Sequence, residues 1–247
     1  RIRELSPETE VILIERNSEI GKKVLISGGG RCNLTTGLND IRSVLANYPR
    51  GSKFLNSALR RFPPAAVRDW FQSMGVPLKI EADGRVFPVS DKGSDIISVF
   101  ERLFDNSKVR LMLNFTVSAV TWRAGHFLIQ GKNGHEIKAD KLIITTGGRA
   151  YRETGSRGDG YAFAEMFGHS ITPLAASLNS FIARESWPRK VAGLSFERVE
   201  LTTRLSRRYQ FQGPIIFTHQ GLSGPAVFAF SSLVAFECYE PTHPAVL

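Results

Sequence analysis

Residues 27–33 read Ser27-Gly28-Gly29-Gly30-Arg31-Cys32-Asn33, placing three consecutive glycines between the apolar pair Leu25-Ile26 and a cation. Glycine lets backbone approach a ligand closely and take φ values closed to other residues, so successive N–H groups can face an anion or the edge of a ring. Upstream, the apolar run Val11-Ile12-Leu13-Ile14 ends in Glu15, where a carboxylate at a strand end can accept hydrogen bonds from both ribose hydroxyls. A second glycine turn, Thr145-Thr146-Gly147-Gly148, closes another apolar run. Beyond it, Gly155-Ser156-Arg157-Gly158-Asp159-Gly160 precedes a helical stretch, with Asp159 expected as its N-cap and free N–H groups facing a ligand. Together these residues have the chemistry of a dinucleotide site. Each also has a plain reading, as a surface loop, a solvated strand end or a strand-to-turn transition.

Other reactive side chains point less clearly. Cys32 offers a thiol, but no resolving cysteine lies near it, and a small buried packing residue fits its apolar flank. Cys32 and Cys238 are the only cysteines. They make no disulfide framework and no Cys/His spacing of a zinc site, so no metal is expected and the compartment is expected to be reducing and cytoplasmic. Gly221-Leu222-Ser223-Gly224 lacks the spacing of a hydrolase nucleophile elbow. His219, after Phe217-Thr218, is the candidate to donate a proton or orient a substrate, against the commoner structural role of a lone histidine.

The elements that must position these groups alternate in period. Val11–Ile14 reads as a fully buried parallel strand. Helices are expected over 52–62, over a second stretch opened by Pro63-Pro64 and closed by Gly75, and over 94–104. The first two form an excursion from the nucleotide fold. Leu78–Ile80 and Arg85–Phe87 form a short hairpin about Ala82-Asp83-Gly84. A parallel strand over 109–113 is followed by a three-stranded meander over 115–123, 127–131 and 135–139. Its turns fall at Ala124-Gly125 and Asn133-Gly134, the latter expected as type I′. Lys141–Thr145 reads as a returning buried strand, and 160–167 as a helix. Strands over 193–204, 209–212 and 215–217, then a helix from Gly224-Pro225 through Ser232, define a β-rich second domain. The expected fold class is α/β: a Rossmann-like domain over residues 1–190 and a partial β-rich insert or substrate domain over 191–247.

At 247 residues and 42% apolar side chains, the chain can bury about three quarters of its unfolded surface. Net charge is +9. The basic residues are mostly dispersed, with only Arg60-Arg61 and Arg204 with Arg207-Arg208 grouped. The dispersal favours a solvated surface and attraction of an anionic cofactor over a nucleic-acid site. No run of about 18 uncharged apolar residues marks a membrane span. Glu15 has too little chain before it for the glycine fingerprint that normally lies about 20 residues upstream of the ribose-binding acid, and no G-x-G-x-x-G occurs. The first residue is Arg, and the tail Glu240-Pro241-Thr242-His243-Pro244-Ala245-Val246-Leu247 closes no element. The chain is therefore expected to be a fragment lacking its first strand and glycine turn.

Four stretches in order, Glu15-Arg16-Asn17 with Gly21-Lys22-Lys23, Ser27 to Asn33, Thr145 to Tyr151 with Thr154 to Tyr161, and Phe217-Thr218-His219 with Gly221 to Pro225, resemble the BaiN-like NAD(P)/FAD-dependent oxidoreductases. These are bacterial flavoproteins of the glutathione-reductase-like FAD superfamily, and the resemblance spans residues 10–232. It implies FAD held by Glu15, Arg16, Lys22, Ser27, Gly28, Gly29, Gly30, Arg31, Cys32, Asn33, Val117, Thr146, Gly147, Gly148 and Asp159. It further implies NAD(P)H as electron donor and a small-molecule acceptor, such as an enone-like C=C bond. The alternative for this chain is a non-catalytic fragment that does not hold FAD tightly. A second enzyme reading is a fumarate-reductase-like dehydrogenase.

Overall fold

The computed structural model describes residues 1–107, 109–240, 242 and 244–247; Pro241 and His243 of the open-ended tail lie outside the described residues. Two compact units, Arg1–Ile171 and Thr172–Leu247, divide the chain. The division falls ahead of the expected 190, because strand β9 (Phe181–Ile182) already pairs within the second unit.

In the first unit, α1 (Ile2–Leu5) leads to β1 (Ile12–Ile14), followed by α2 (Lys22–Ile26) and a single 3-10 turn at Ser27–Gly30. After β2 (Thr35–Thr36) come three helices, α3 (Ile41–Ala46), α4 (Ser52–Arg61) and α5 (Pro64–Ser73). Asp40 caps α3 by accepting a hydrogen bond from the Ser43 amide, and Pro64 opens α5, where a missing N–H costs nothing. The hairpin of β3 (Leu78–Ile80) and β4 (Arg85–Pro88) gains β2 as a third antiparallel strand, in the order β2-β4-β3. Helix α6 (Gly93–Ser107) packs Ile96 and Val99 against Phe71, Val76 and Cys32.

Strand β5 (Arg110–Met112) then pairs parallel with β1, Leu13 opposite Leu111. The meander is present as β6 (Val117–Arg123), β7 (His126–Gly131) and β8 (Glu136–Ala139). The type I′ turn expected at Asn133-Gly134 lies at the other turn instead. Ala124 and Gly125 both have positive φ (47° and 81°), as a type I′ turn requires, whereas at Asn133-Gly134 only Gly134 does (81°). The Gly134 amide bonds Gly131 O and the Gly131 amide bonds His135 O, so the second turn is a longer loop closed by a left-handed glycine. Helix α7 (Asp159–Met166) seats Phe163 on Val120 and Ile129, with Ile14 and Val117 packed around them.

Two strand expectations fail for one reason. Val11–Ile14 is half-buried rather than enclosed, and residues 141–146 form no strand, with Ile143 69% exposed. A parallel strand is buried when ladders and helices flank it. Here β1 and β5 make a two-stranded sheet that no third strand joins among the described residues.

The second unit is a four-stranded antiparallel sheet, β10 (Ser195–Arg204), β11 (Arg208–Thr218), β12 (Gly221–Ser223) and β9, under helix α8 (Pro225–Leu233). The two strands expected around Gly213-Pro214 are one. Pro214 cannot donate to a ladder, and β10 slips register between Phe196 and Val199 opposite it, so the strand continues through the irregularity. Ala226, Val227 and Phe230 of α8 are fully buried on Leu201, Tyr209 and Ile215. Mixed α/β architecture, with a parallel Rossmann-like region and added antiparallel sheets, is what the sequence pattern predicts. No described helix is long and apolar enough to cross a membrane.

Phe87 on β4 is fully buried, and its replacement by Ala should cost about 3–5 kcal/mol. The check is a urea titration followed by tryptophan fluorescence, in which the first unit's transition moves to lower denaturant.

Candidate functional site

Gly28, Gly29 and Gly30 have φ of 58°, 69° and 91°, three successive left-handed residues that turn the chain sharply as α2 ends. The glycines serve different needs. A Cβ at Gly28 would lie 2.8 Å from the Asn33 amide nitrogen and 2.9 Å from the Phe87 ring, whereas a Cβ at Gly29 would meet nothing within 4 Å. The turn is thus packed on one side and open to solvent on the other. Ser27 Oγ donates back to Val24 O at 2.8 Å, and the Cys32 amide bonds Ser27 O, closing the turn internally. Asn33 is exposed.

The two residues after the glycines are committed to the protein. Arg31 Nη1 lies 2.6 Å from Glu81 Oε1 and 3.4 Å from Asp91 Oδ1, with its guanidinium 3.8 Å above the Phe87 ring. The Glu81 hydrogen bond raises its already high pKa. Cys32 is buried among Phe71, Val76 and Val99 at φ 62°, and burial pushes its thiol pKa up against a smaller opposing hydrogen bond from Ser27. It is a packing residue, with little thiolate at neutral pH.

The strand end and the second glycine turn meet. Arg16 Nη2 pairs with Asp159 Oδ2 at 2.7 Å, and Asn17 Nδ2 donates to Thr154 O at 3.0 Å. Lys23, on the helix leading into the first turn, donates to Ala150 O at 2.8 Å and to the buried Ser156 Oγ at 2.5 Å. Gly155, at φ 98°, leaves the space that Asn17 and Arg16 fill. Gly147 (φ 73°) lies against Ser156, Gly148 against the Tyr161 hydroxyl, and Thr146 Oγ1 against Gly160. Both glycine turns therefore belong to one region at the carboxyl end of β1.

Several expected roles change in detail. Asp159 is not the N-cap of α7: Gly158 at φ 86° occupies that position with no side-chain bond, and the Asp159 carboxylate is drawn to Arg16. Glu15 Oε1 already accepts from the amide and side chain of Asn17, both at 2.8 Å, which aims the carboxylate while leaving Oε2 without a bond among the described residues. Lys22 lies 3.9 Å from Glu19, so its neighbour Lys23 makes the bridging contacts. Val117 packs in the core beside Ile14. His219 is exposed in the turn between β11 and β12, in the second unit. Asn17, Lys23, Thr154 and Ser156 lie inside the stretches that carry the resemblance, but the sequence assigns them no role of their own. The signal for them was faint: a second lysine after Gly21, and a serine inside a glycine-rich loop. No group of three or more metal-binding side chains occurs among the described residues.

Comparison with known proteins adds a family. The HI0933-like protein Rossmann domain matches residues 2–223. A 3-dehydro-bile acid delta(4,6)-reductase of Clostridium scindens is 29% identical over 235 residues, 94% of this chain and 56% of that protein. Ribosomal RNA dihydrouridine synthases of Escherichia coli and Haemophilus influenzae are 30% and 29% identical, each over 90% of this chain and about half of their own length. The chain thus spans about half of these relatives. Among solved structures, a flavocytochrome c3 fumarate reductase in its open conformation superposes with a TM-score of 0.53 over 76% of this chain and 42% of that one, at 20% identity, a likeness of fold.

The contrast between the thiols gives a direct check. In the native protein a disulfide reagent near neutral pH should titrate exposed Cys238 at once and buried Cys32 only after denaturant is added. Two equally fast thiols would contradict the packed turn.

Proposed function

The chain belongs to the HI0933-like Rossmann family, and on that footing we propose that it forms the FAD-binding part of a flavin-dependent reductase acting on a C=C bond conjugated with a carbonyl. The observation that carries this reading is the open main-chain surface at Gly29, the middle of three left-handed glycines, together with the second glycine turn stitched to the strand end. A side chain at Gly29 would fill the space a ring or phosphate needs, so the cradle fits a flexible-backbone approach to a flat anionic cofactor.

Glu15, aimed by Asn17, would hold the ribose hydroxyls, and the turns at residues 27–33 and 146–148 would flank the ring and diphosphate. Arg16 and Asp159 hold each other, so their part is to fix the second turn in place rather than to neutralise phosphate. When bound, FAD supplies hydride transfer from NAD(P)H to the acceptor. The named substrates of the relatives support the bond type. A 3-oxo group with unsaturation at positions 4 and 6, and the C5=C6 bond of uracil beside its C4 carbonyl, are both electron-poor alkenes. Reduction of such a bond needs a proton on the carbon adjacent to the carbonyl, and His219 is the proposed donor.

The protein should show oxidised-flavin absorption bands after incubation with FAD and desalting. Gly29→Val should weaken FAD binding at least about tenfold (about 1.4 kcal/mol). A colourless wild type unable to take up FAD would favour the non-catalytic fragment. In the flavin-loaded enzyme, His219→Asn should lower turnover about 10²-fold or more while leaving flavin reduction by NAD(P)H unchanged; equal turnover would remove His219 from the mechanism.

A further inference from the structure

The β3–β4 hairpin meets the first glycine turn through one guanidinium. Arg31 Nη1 lies 2.6 Å from Glu81 Oε1, just after β3, and 3.4 Å from Asp91 Oδ1, shortly after β4. Each acid also holds a second cation: Glu81 Oε2 lies 3.2 Å from Arg85 Nη2, and Asp91 Oδ2 lies 2.6 Å from Lys79 Nζ. Asp83 pairs with Arg85 at 2.6 Å. Arg31, Lys79 and Arg85 thus face Glu81, Asp83 and Asp91, and the network is neutral as a whole. The hydrogen bond from Lys79, with a smaller contribution from Arg31, holds the Asp91 carboxyl below its usual range.

The Arg31 guanidinium also covers the Phe87 ring, 3.8 Å from its centroid, and the same ring abuts Gly28, where a Cβ would lie 2.9 Å from it. Across the turn, a Cβ at Gly93, the first residue of α6, would lie 2.9 Å from Gly30 O. Just past the turn the Leu34 amide donates to Val86 O of β4. The turn is therefore held at Gly28 and Gly30 by β4 and α6, and Gly29 alone of the three would meet nothing within 4 Å. The Arg31 and Glu81 side chains are 30% and 28% exposed, neither solvated nor enclosed. Ion pairs of that kind contribute little to folding beside a buried ring such as Phe87. What this one supplies is geometry and local charge.

We infer that Glu81 and Asp91 are positioning residues for the flavin: acting through Arg31, they keep the Gly28–Gly30 turn in its binding shape and cancel the charge the guanidinium would otherwise present to the ring. This role rests on the FAD reading of the turn and sets the affinity and redox potential of that site. Reduction adds negative charge to the flavin ring, so a net cation beside it favours the reduced state and a net anion the oxidised state. Removing the charge of Glu81 leaves the network one positive charge in excess, and removing that of Arg31 leaves it one negative charge in excess. Either change releases the clamp and weakens binding. On the potential the two changes act in opposite directions.

Quenching of FAD fluorescence on titration with the full chain, and spectroelectrochemistry of the loaded protein, test it. E81Q and R31Q should each bind FAD about tenfold more weakly, and R31Q/E81Q no more weakly than R31Q alone, because both changes remove one clamp. The flavin midpoint potential should rise in E81Q and fall in R31Q by about 30 mV, a tenfold change in the relative binding of the two flavin states. In the double variant it should return toward wild type. The control D140N, which removes the acid paired with His126 on the meander, should leave both readings unmoved. Potential shifts of the same sign in E81Q and R31Q, fully additive losses of affinity, or an E81Q indistinguishable from D140N would overturn the inference. Should circular dichroism show E81Q unfolded, D91N takes its place with the same expectations. A wild type that takes up no FAD defeats the reading of the site and this role with it, whereas FAD bound equally by wild type and all variants defeats the role alone.

Discussion

A loop outside strands and α-helices must still find partners for its backbone carbonyls, and in the first unit side chains from the start of the chain supply some of them. Residues 141–158 contain no strand or α-helix, and their only regular element is a 3-10 turn at Arg152–Thr154 that satisfies a few carbonyls locally. Asn17 takes Thr154 O, Lys23 takes Ala150 O, and the Arg16 guanidinium holds Asp159 at the start of the helix beyond. An unmade bond at such a position costs more than a made one contributes. The strand end, the helix leading into the first glycine turn and the second turn are therefore constrained together.

That constraint shows what the sequence could and could not convey. Strong periodicity made the α/β class, the meander, the hairpin at 78–88 and helices α4 to α7 legible, because alternation and 3.6-residue spacing report burial locally. The glycine turns were legible too, since few reasons other than left-handed φ put three glycines in a row. The parallel strand expected at 141–145 was not, because its apolar residues carry the strand signal whether or not a ladder partner is present. Turn type also escaped. Ala124 adopts the positive φ expected at Asn133, in the two-residue turn that the Arg123–His126 pair closes.

At the candidate site, residue types were easier to read than pairings. Arg16, Arg31 and Lys22 all look like ligands to an anion, and Asp159 like a helix cap, when considered singly. In the structure Arg16 and Asp159 satisfy each other, Arg31 is held by Glu81 over Phe87, and Lys23 rather than Lys22 reaches across. Only the fold shows which charges are already balanced.

The two-stranded parallel ladder of β1 and β5 has a colloidal consequence. Its outer edges offer backbone donors and acceptors beside half-covered Ile12, Leu13 and Ile14, the kind of border along which separate molecules zip together. Mutual repulsion between copies carrying +9 opposes that encounter. Ionic strength shortens the reach of this repulsion, so dissolved salt governs how long the polypeptide stays dispersed.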